Sequence, residues 1–301
     1  MLRAESLEVP DLREEVTGFK PFTDFTDSHM HIDPLNGEGI DAVKKFEHAG
    51  GRFLFLVCKM AKDWNFKSNQ DGLEKLFHAT INLSKKINEQ TGVSSFPVIG
   101  VHPAEFTGMC EEKGIEKALN IAKAGIRLAG KMIDEQMAVA IGEVGRPHFE
   151  VTSEIIDASN ELMAYAFEVA SDVDCAVQLH TESVGEEQLE EFGMLAKSNG
   201  LDSKRVIKHY APPLIVAAEK AGIFPSLVAS EENIKTGIQE GARFLMESDY
   251  IDDLTRPGAV TGPKSVPKVS LRLVREGFFI EEDLIKIHIE NVEEAYGISL
   301  I

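Results

Sequence analysis

Short runs of apolar, β-branched residues alternate with longer stretches of helical period along almost the whole chain. The runs lie at 25–32, 52–58, 96–102, 138–145, 175–180, 205–209, 224–228 and 243–249. Helical patterns follow them near 39–50, 69–90, 111–134, 153–171, 185–198, up to 221, 231–240, 267–276 and 281–296. Strands that alternate with helices in this way are repeated β-α units around a parallel sheet. Eight such units in 301 residues predict an α/β fold of the (β/α)8, or TIM-barrel, type. An open doubly wound sheet is the second choice, but no GxGxxG turn follows the first run. Residues 1–24, with Pro10 and Pro21 and no clear period, read as an N-terminal extension to a single domain over 25–301.

The net charge of −19 argues against an extended basic surface for duplex nucleic acid. It leaves room for a local cationic pocket or for metal-mediated contact with phosphate. Cys58, Cys110 and Cys175 are odd in number and form no CxxC pair, so no disulfide framework is expected and a reducing cytoplasm fits. No apolar run approaches the ~20 residues of a membrane span. The N-terminus has no apolar core of the kind a secretory signal needs. The expectation is a cytoplasmic protein with no membrane partner.

In a barrel of this kind chemistry sits at the C-terminal ends of the strands. His29 and His31 lie two residues apart, so a strand presents both on one face. His102, Glu143, His180, His209 and Asp249 stand at or near the ends of later runs. An unpaired buried carboxylate costs several kcal/mol, and a divalent cation removes that cost. The donor set exceeds what one tetrahedral zinc needs. It suffices for two metals about 3.5–4 Å apart with a carboxylate between them. Glu143 is the natural bridge, and Asp249 is suited to ligate one metal and to orient or deprotonate the attacking water. Mixed histidine and carboxylate donors accept zinc, manganese, nickel or, less readily, magnesium.

The segments Asp27-Ser28-His29-Met30-His31-Ile32-Asp33, Ile99-Gly100-Val101-His102-Pro103, Ile141-Gly142-Glu143-Val144-Gly145, Val177-Gln178-Leu179-His180, Ile207-Lys208-His209 and Glu247-Ser248-Asp249 together resemble the TatD family. That family belongs to the amidohydrolase superfamily of metal-dependent barrels. The resemblance runs from about residue 24 to the closing segment Asn291-Val292-Glu293-Glu294-Ala295-Tyr296-Gly297. It implies two divalent metals and hydrolysis of phosphodiesters, typically as a deoxyribonuclease, with DNA or a smaller phosphoester as partner. Carried over by position, it implies His29, His31 and Asp249 on one metal and His180 and His209 on the other. Glu143 would bridge them, and His102 would lie near the substrate phosphate. The chain departs from the family after Glu143, where Arg146-Pro147 stands, and after His209, where Tyr210-Ala211-Pro212-Pro213 stands.

Other residues carry two readings each. Arg146 suits bidentate phosphate contact or a surface salt bridge. Arg256 and Lys264, in the loop over 255–265, suit a specificity loop or a solvated one. Trp64 and Phe66 suit base stacking or loop packing. Ser28 and Ser248 have no GxSxG elbow to make a nucleophile. Hydrolysis of a lactone, amide or carboxyl ester is the alternative chemistry, and a non-catalytic metal-binding module is a third reading.

Overall fold

Residues 22–301 are described by a computed structural model, so residues 1–21 of the expected extension lie outside the described residues. The apolar runs form strands β1 (Phe25–His31), β2 (Gly51–Val57), β3 (Ser94–Ile99), β4 (Ala140–Gly145), β5 (Ala176–His180), β6 (Val206–Lys208), β7 (Phe224–Val228) and β8 (Leu245–Glu247). All pair in parallel and in sequence order around the sheet. A short β9 (Tyr250–Ile251) follows β8 after a break at Ser248 and Asp249 and pairs with β1 through Met30 and His31. β8 and β9 are therefore halves of one interrupted strand, the first half on β7 and the second on β1. Asp249 N donates to His29 O (3.0 Å) across the seam, and the sheet closes as a TIM barrel.

The helices are α1 (Ile40–His48), α2 (Gln70–Gln90), α3 (Pro103–Lys113), α4 (Ile115–Asp134), α5 (Ser153–Asp172), α6 (Glu186–Ser198), α7 (Ile215–Ala221), α8 (Glu231–Glu240), α9 (Ser265–Arg275), α10 (Glu281–Ile285) and α11 (Asn291–Tyr296). The single helix expected at 111–134 is two. Gly114, at φ 82°, breaks it in a conformation that costs glycine little. The first of the pair starts directly after His102, whose side chain caps it with Pro103 in the first turn. Among the described residues no helix is long and apolar enough to cross a membrane.

One apolar layer sits inside the barrel. Phe55, Val98, Ala140, Ala176, Ile207, Phe224 and Leu245 meet Val292, Ala295 and Tyr296 of α11. The Phe55 and Tyr296 rings stack with centroids 3.7 Å apart. The Tyr296 hydroxyl donates to Ser28 O (3.1 Å), and Gln178 Nε2 donates to the same carbonyl (2.9 Å). These residues precede the histidines and carboxylates along their strands. α11 thus plugs the N-terminal end of the barrel and leaves the polar C-terminal end open.

A π-helical turn, Lys286–Glu290, joins α10 to α11 and buries His288 against β1. Its Nδ1 accepts from Thr26 N (3.3 Å), and its Nε2 lies 3.0 Å from Ser270 Oγ. Burial pulls its pKa down to about 3. The unfolded chain binds this proton near pH 6.5, and the folded chain refuses it until about pH 3. Stability is therefore lost as pH falls from 6.5, by about 2 kcal/mol at pH 5. His288→Gln should flatten that limb of the stability curve by about this amount, measured by denaturant unfolding at pH 7 and pH 5; an unchanged slope would show that His288 is not responsible.

Candidate metal centre

Strand geometry aims the site. In β1 the alternate residues Asp27, His29 and His31 share a face, and every residue of the strand is buried. The pairing of β1 with β2 slips between Asp27 and Met30, and that of β4 with β5 slips between Ile141 and Val144. Such irregularities re-aim side chains, and these two bracket His29 and Glu143. Glycines let the strands crowd there. A Cβ on Gly142 would stand 2.7 Å from Gln178 Cβ, and one on Gly100 would stand 2.8 Å from the carbonyl carbon of Gly142.

Glu143 is the hub. Its Oε2 lies 3.7 Å from His29 Nε2, 3.5 Å from His31 Nε2 and 3.9 Å from His102 Nε2. Its Oε1 lies 2.7 Å from His180 Nδ1 and 3.4 Å from His209 Nε2. Asp249 faces the β1 pair, with Oδ1 3.9 Å from Nε2 of both His29 and His31. It adopts a left-handed backbone, φ 45°, which an aspartate tolerates better than most residues. Ligand-capable atoms gather in three sets: His29, His31 and Asp249; His29, Glu143 and His209; His102, Glu143 and His180.

The outer nitrogens assign the tautomers. His31 Nδ1 lies 3.1 Å from Val57 O, so it carries the proton and leaves the Nε2 lone pair free. His209 Nδ1 lies 2.9 Å from Glu247 Oε1, with the same consequence. His102 is the opposite case. Its Nδ1 accepts from Ala104 N (3.0 Å), so in the neutral ring Nε2 is the donor. His31 and His209 thus turn a free lone pair inward, and His102 turns a hydrogen-bond donor inward. Burial keeps these rings neutral: His29 falls to about 3 and His102 to about 4, while His31 and His209 are also lowered.

A second layer holds the first. Glu247 takes Tyr210 N (2.8 Å) as well as His209, and Ser226 Oγ donates to its other oxygen. Ser226 Oγ also lies 2.7 Å from Ser28 Oγ, so one polar chain joins β1, β7, β8 and His209. Asp27 accepts from His29 N (3.2 Å) and Ser248 N (3.0 Å). Burial pushes Asp27 up to about 7, and burial raises Glu247 well above the usual carboxylate range. Asp249 is raised too, by burial and by the Glu143 charge.

A divalent cation fits this donor set. Burial keeps His29, His31, His102 and His209 neutral, and two carboxylates converge on them in a buried space. Nε2 of His29 and of His31 lie 3.1 Å apart and both face Glu143 and Asp249, so lone pairs and carboxylate oxygens converge on a point that a cation would satisfy. The cluster floors a cavity of about 650 Å³ with His148, Phe149, Glu182, Tyr210, Ile251 and Arg256 around it.

His148, Glu247 and Asp27 were not singled out from the sequence. Glu247 and Asp27 stand two residues before Asp249 and His29, so strand alternation was their signal. His148 lies in a loop and has none; its Nδ1 comes within 2.8 Å of His180 Nε2. Arg146 stands apart from the cavity. Its guanidinium reaches Asn160 (2.6 Å), Glu182 (3.2 Å) and Glu191, and lies over the Phe192 ring. It ties β4 to α5 through Asn160, to α6 through Glu191, and to the loop between β5 and α6 through Glu182. Trp64 and Phe66 pack on the apolar layer outside the barrel. Arg256 lines the cavity, whereas Lys264 is exposed at the start of α9.

A closed barrel with this cluster at its C-terminal end defines a TIM-barrel hydrolase of the metal-dependent kind. Residues 26–297 match the family described as TatD related DNase, and the chain belongs to it. The uncharacterized protein MJ1127 of Methanocaldococcus jannaschii is 40% identical over 277 residues, covering 91% of this chain and 96% of that protein. Among solved structures, the TatD homologue YjjV of Escherichia coli is similar, with TM-score 0.64 and 16% identity over 92% of this chain and all (100%) of that one. The phosphotriesterase homology protein of Escherichia coli, solved with phosphate in its active site, has TM-score 0.60 and 13% identity, again covering 92% and 100%. At these identities the solved structures speak for the fold alone.

Partners of metal-binding histidines typically matter 10–100-fold in affinity. Glu247→Gln should weaken divalent-metal binding by roughly that factor, read by competition with a chromophoric chelator. An affinity equal to wild type would remove Glu247 from the site.

Proposed function

We propose that the protein hydrolyses phosphodiester bonds at a binuclear centre built on Glu143. The observation that carries this reading is the division of Glu143 between two imidazole groups, Oε2 toward His29 and His31 and Oε1 toward His180 and His209. His29, His31 and Asp249 would hold one ion, His180 and His209 the other, and Glu143 both. Zinc, manganese and magnesium are the candidate ions. When bound, such ions supply Lewis acidity, bringing the pKa of water toward 7 and offsetting charge on a phosphoryl oxygen.

The chain's own residues do the rest. Asp249 lines the cavity, so its carboxylate is placed to take the proton of the attacking water. His102 Nε2–H is placed to donate to a phosphoryl oxygen, since its other nitrogen is occupied as a helix cap. Tyr210 and Phe149, 55% and 42% exposed, offer aromatic faces at the mouth for a flat substituent or base. Arg146, held by Glu182 and Glu191, acts on the substrate only through the wall that it braces. With a net charge of −19, the reading favours DNA ends or small phosphoesters over an extended duplex. Three buried free thiols suit a reducing compartment such as the cytoplasm.

A second reading, hydrolysis of a small lactone or carboxyl ester, draws on the cavity itself. About 650 Å³ with Met60, Phe149 and Ile251 in its walls is within the range of small-molecule pockets. A substrate panel separates the two: turnover of lactones with none of phosphodiesters decides for the second.

Glu143→Ala and Asp249→Asn should each lower turnover of bis(p-nitrophenyl) phosphate by about 100-fold or more. Full activity in both variants would sink the site. Chelation should abolish turnover and added divalent metal restore it; activity that survives exhaustive chelation would count against the metal centre.

A further inference from the structure

The main cavity opens on its β2 side into a second hollow of about 250 Å³, which shares His31, His102 and Glu143 with it. This hollow brings three cationic side chains of a strongly acidic chain together, beside the carboxylates of Asp63, Asp253 and Glu143. Lys59, Lys62 and Arg256 all line it. Lys59 is held in place: its Nζ lies 2.7 Å from Asp33 Oδ2, and its side chain is 11% exposed. Asp33 is itself fixed by Leu35 N (2.7 Å) and Asn36 N (2.9 Å). Lys62 and Arg256 are exposed at the rim. Among the described residues, neither closes an ion pair with a carboxylate.

The two rim carboxylates already take hydrogen bonds from their own loops, although Asp253 also feels the charge of Lys59 and Arg256. Asp63 Oδ2 accepts from Met60 N (3.3 Å), and Asp253 Oδ1 accepts from Thr255 N (2.9 Å) and Thr255 Oγ1 (2.7 Å). The cations, by contrast, have donors to spare. An anion is the ligand such a wall lacks, since lysine and arginine both bind phosphate oxygens through charge-assisted hydrogen bonds. The far wall of the main cavity bears Glu182 and has no lysine. The hollow is thus the side of the cleft that carries the lysines.

We infer that this hollow is an anion subsite that receives a second phosphate of the substrate while the scissile phosphodiester lies over Glu143. The inference rests on the phosphodiester reading and narrows it to substrates with a neighbouring phosphate, such as an oligonucleotide terminus. A neutral-armed diester fills the centre and leaves the subsite empty. Binding at exposed cations is screened by salt, so the preference should fade as ionic strength rises.

The test compares thymidine dinucleotides with no terminal phosphate, with a 5′-phosphate and with a 3′-phosphate on the metal-loaded protein. At least one phosphorylated form should show kcat/KM about fivefold or more above the plain dinucleotide at low salt. That ratio should fall toward one in the Lys62→Ala/Arg256→Ala double variant. Equal kcat/KM for all three in the wild type, or an unchanged ratio in the variant, overturns the subsite while the phosphodiester reading stands. If none is cleaved, that reading fails, and calorimetry judges the subsite alone. Thymidine 3′,5′-bisphosphate should then bind more tightly than thymidine 5′-monophosphate in the wild type and lose that advantage in the variant. Equal affinities for the two nucleotides in the wild type overturn the proposal.

Discussion

A single buried carboxylate organises the C-terminal end of this barrel. Glu143 has both oxygens inside the ring of strands, within 3.9 Å of five histidine rings. Burial opposes its ionisation, yet the polar imidazoles around it, with His180 Nδ1 at 2.7 Å, bring its pKa well below the usual carboxylate range. Asp249 is driven the other way, upward, partly by the same Glu143 charge.

The rest of the structure holds that contact in place. α11 plugs the bottom of the barrel through Tyr296, and Gln178 and Tyr296 both bond to Ser28 O, one residue before His29. The Ser28, Ser226, Glu247 and His209 chain crosses the barrel at the level of the ligands. Closure of the sheet depends on the break between β8 and β9. The same break that lets the strand change partners turns Asp249 toward His29 and His31. Closure of the fold and completion of the donor set are therefore one event.

Much of this was legible in the sequence, because strand period and strand order are local properties. β7 and α8 lie where the hydrophobic pattern put them, and the other strands differ by a few residues. The helix over 111–134 was misjudged in extent. His102 and Pro103 start a helix early through capping, a polar signal that a hydrophobic pattern does not contain. His148 was invisible for a different reason: it reaches His180 from a loop whose path depends on the whole rim. The hollow beside β2 was equally hidden, since Lys59, Lys62 and Arg256 come from two loops distant in sequence.

By itself the sequence determined the β-α alternation, the barrel and the identity of the metal-capable side chains. Each of these follows from residue type and spacing along one strand. Tertiary structure decided how those side chains divide their work. It turned His102 Nδ1 onto a backbone N–H and His31 Nδ1 onto a carbonyl, so that similar rings present the same nitrogen, Nε2, to Glu143 in opposite protonation states. It also drew Arg146 away from the cavity to Glu182 and Glu191 on neighbouring segments. The physical reason is the same in each case. A hydrogen-bond partner is chosen by proximity in space, and only the closed barrel sets which distant groups are near.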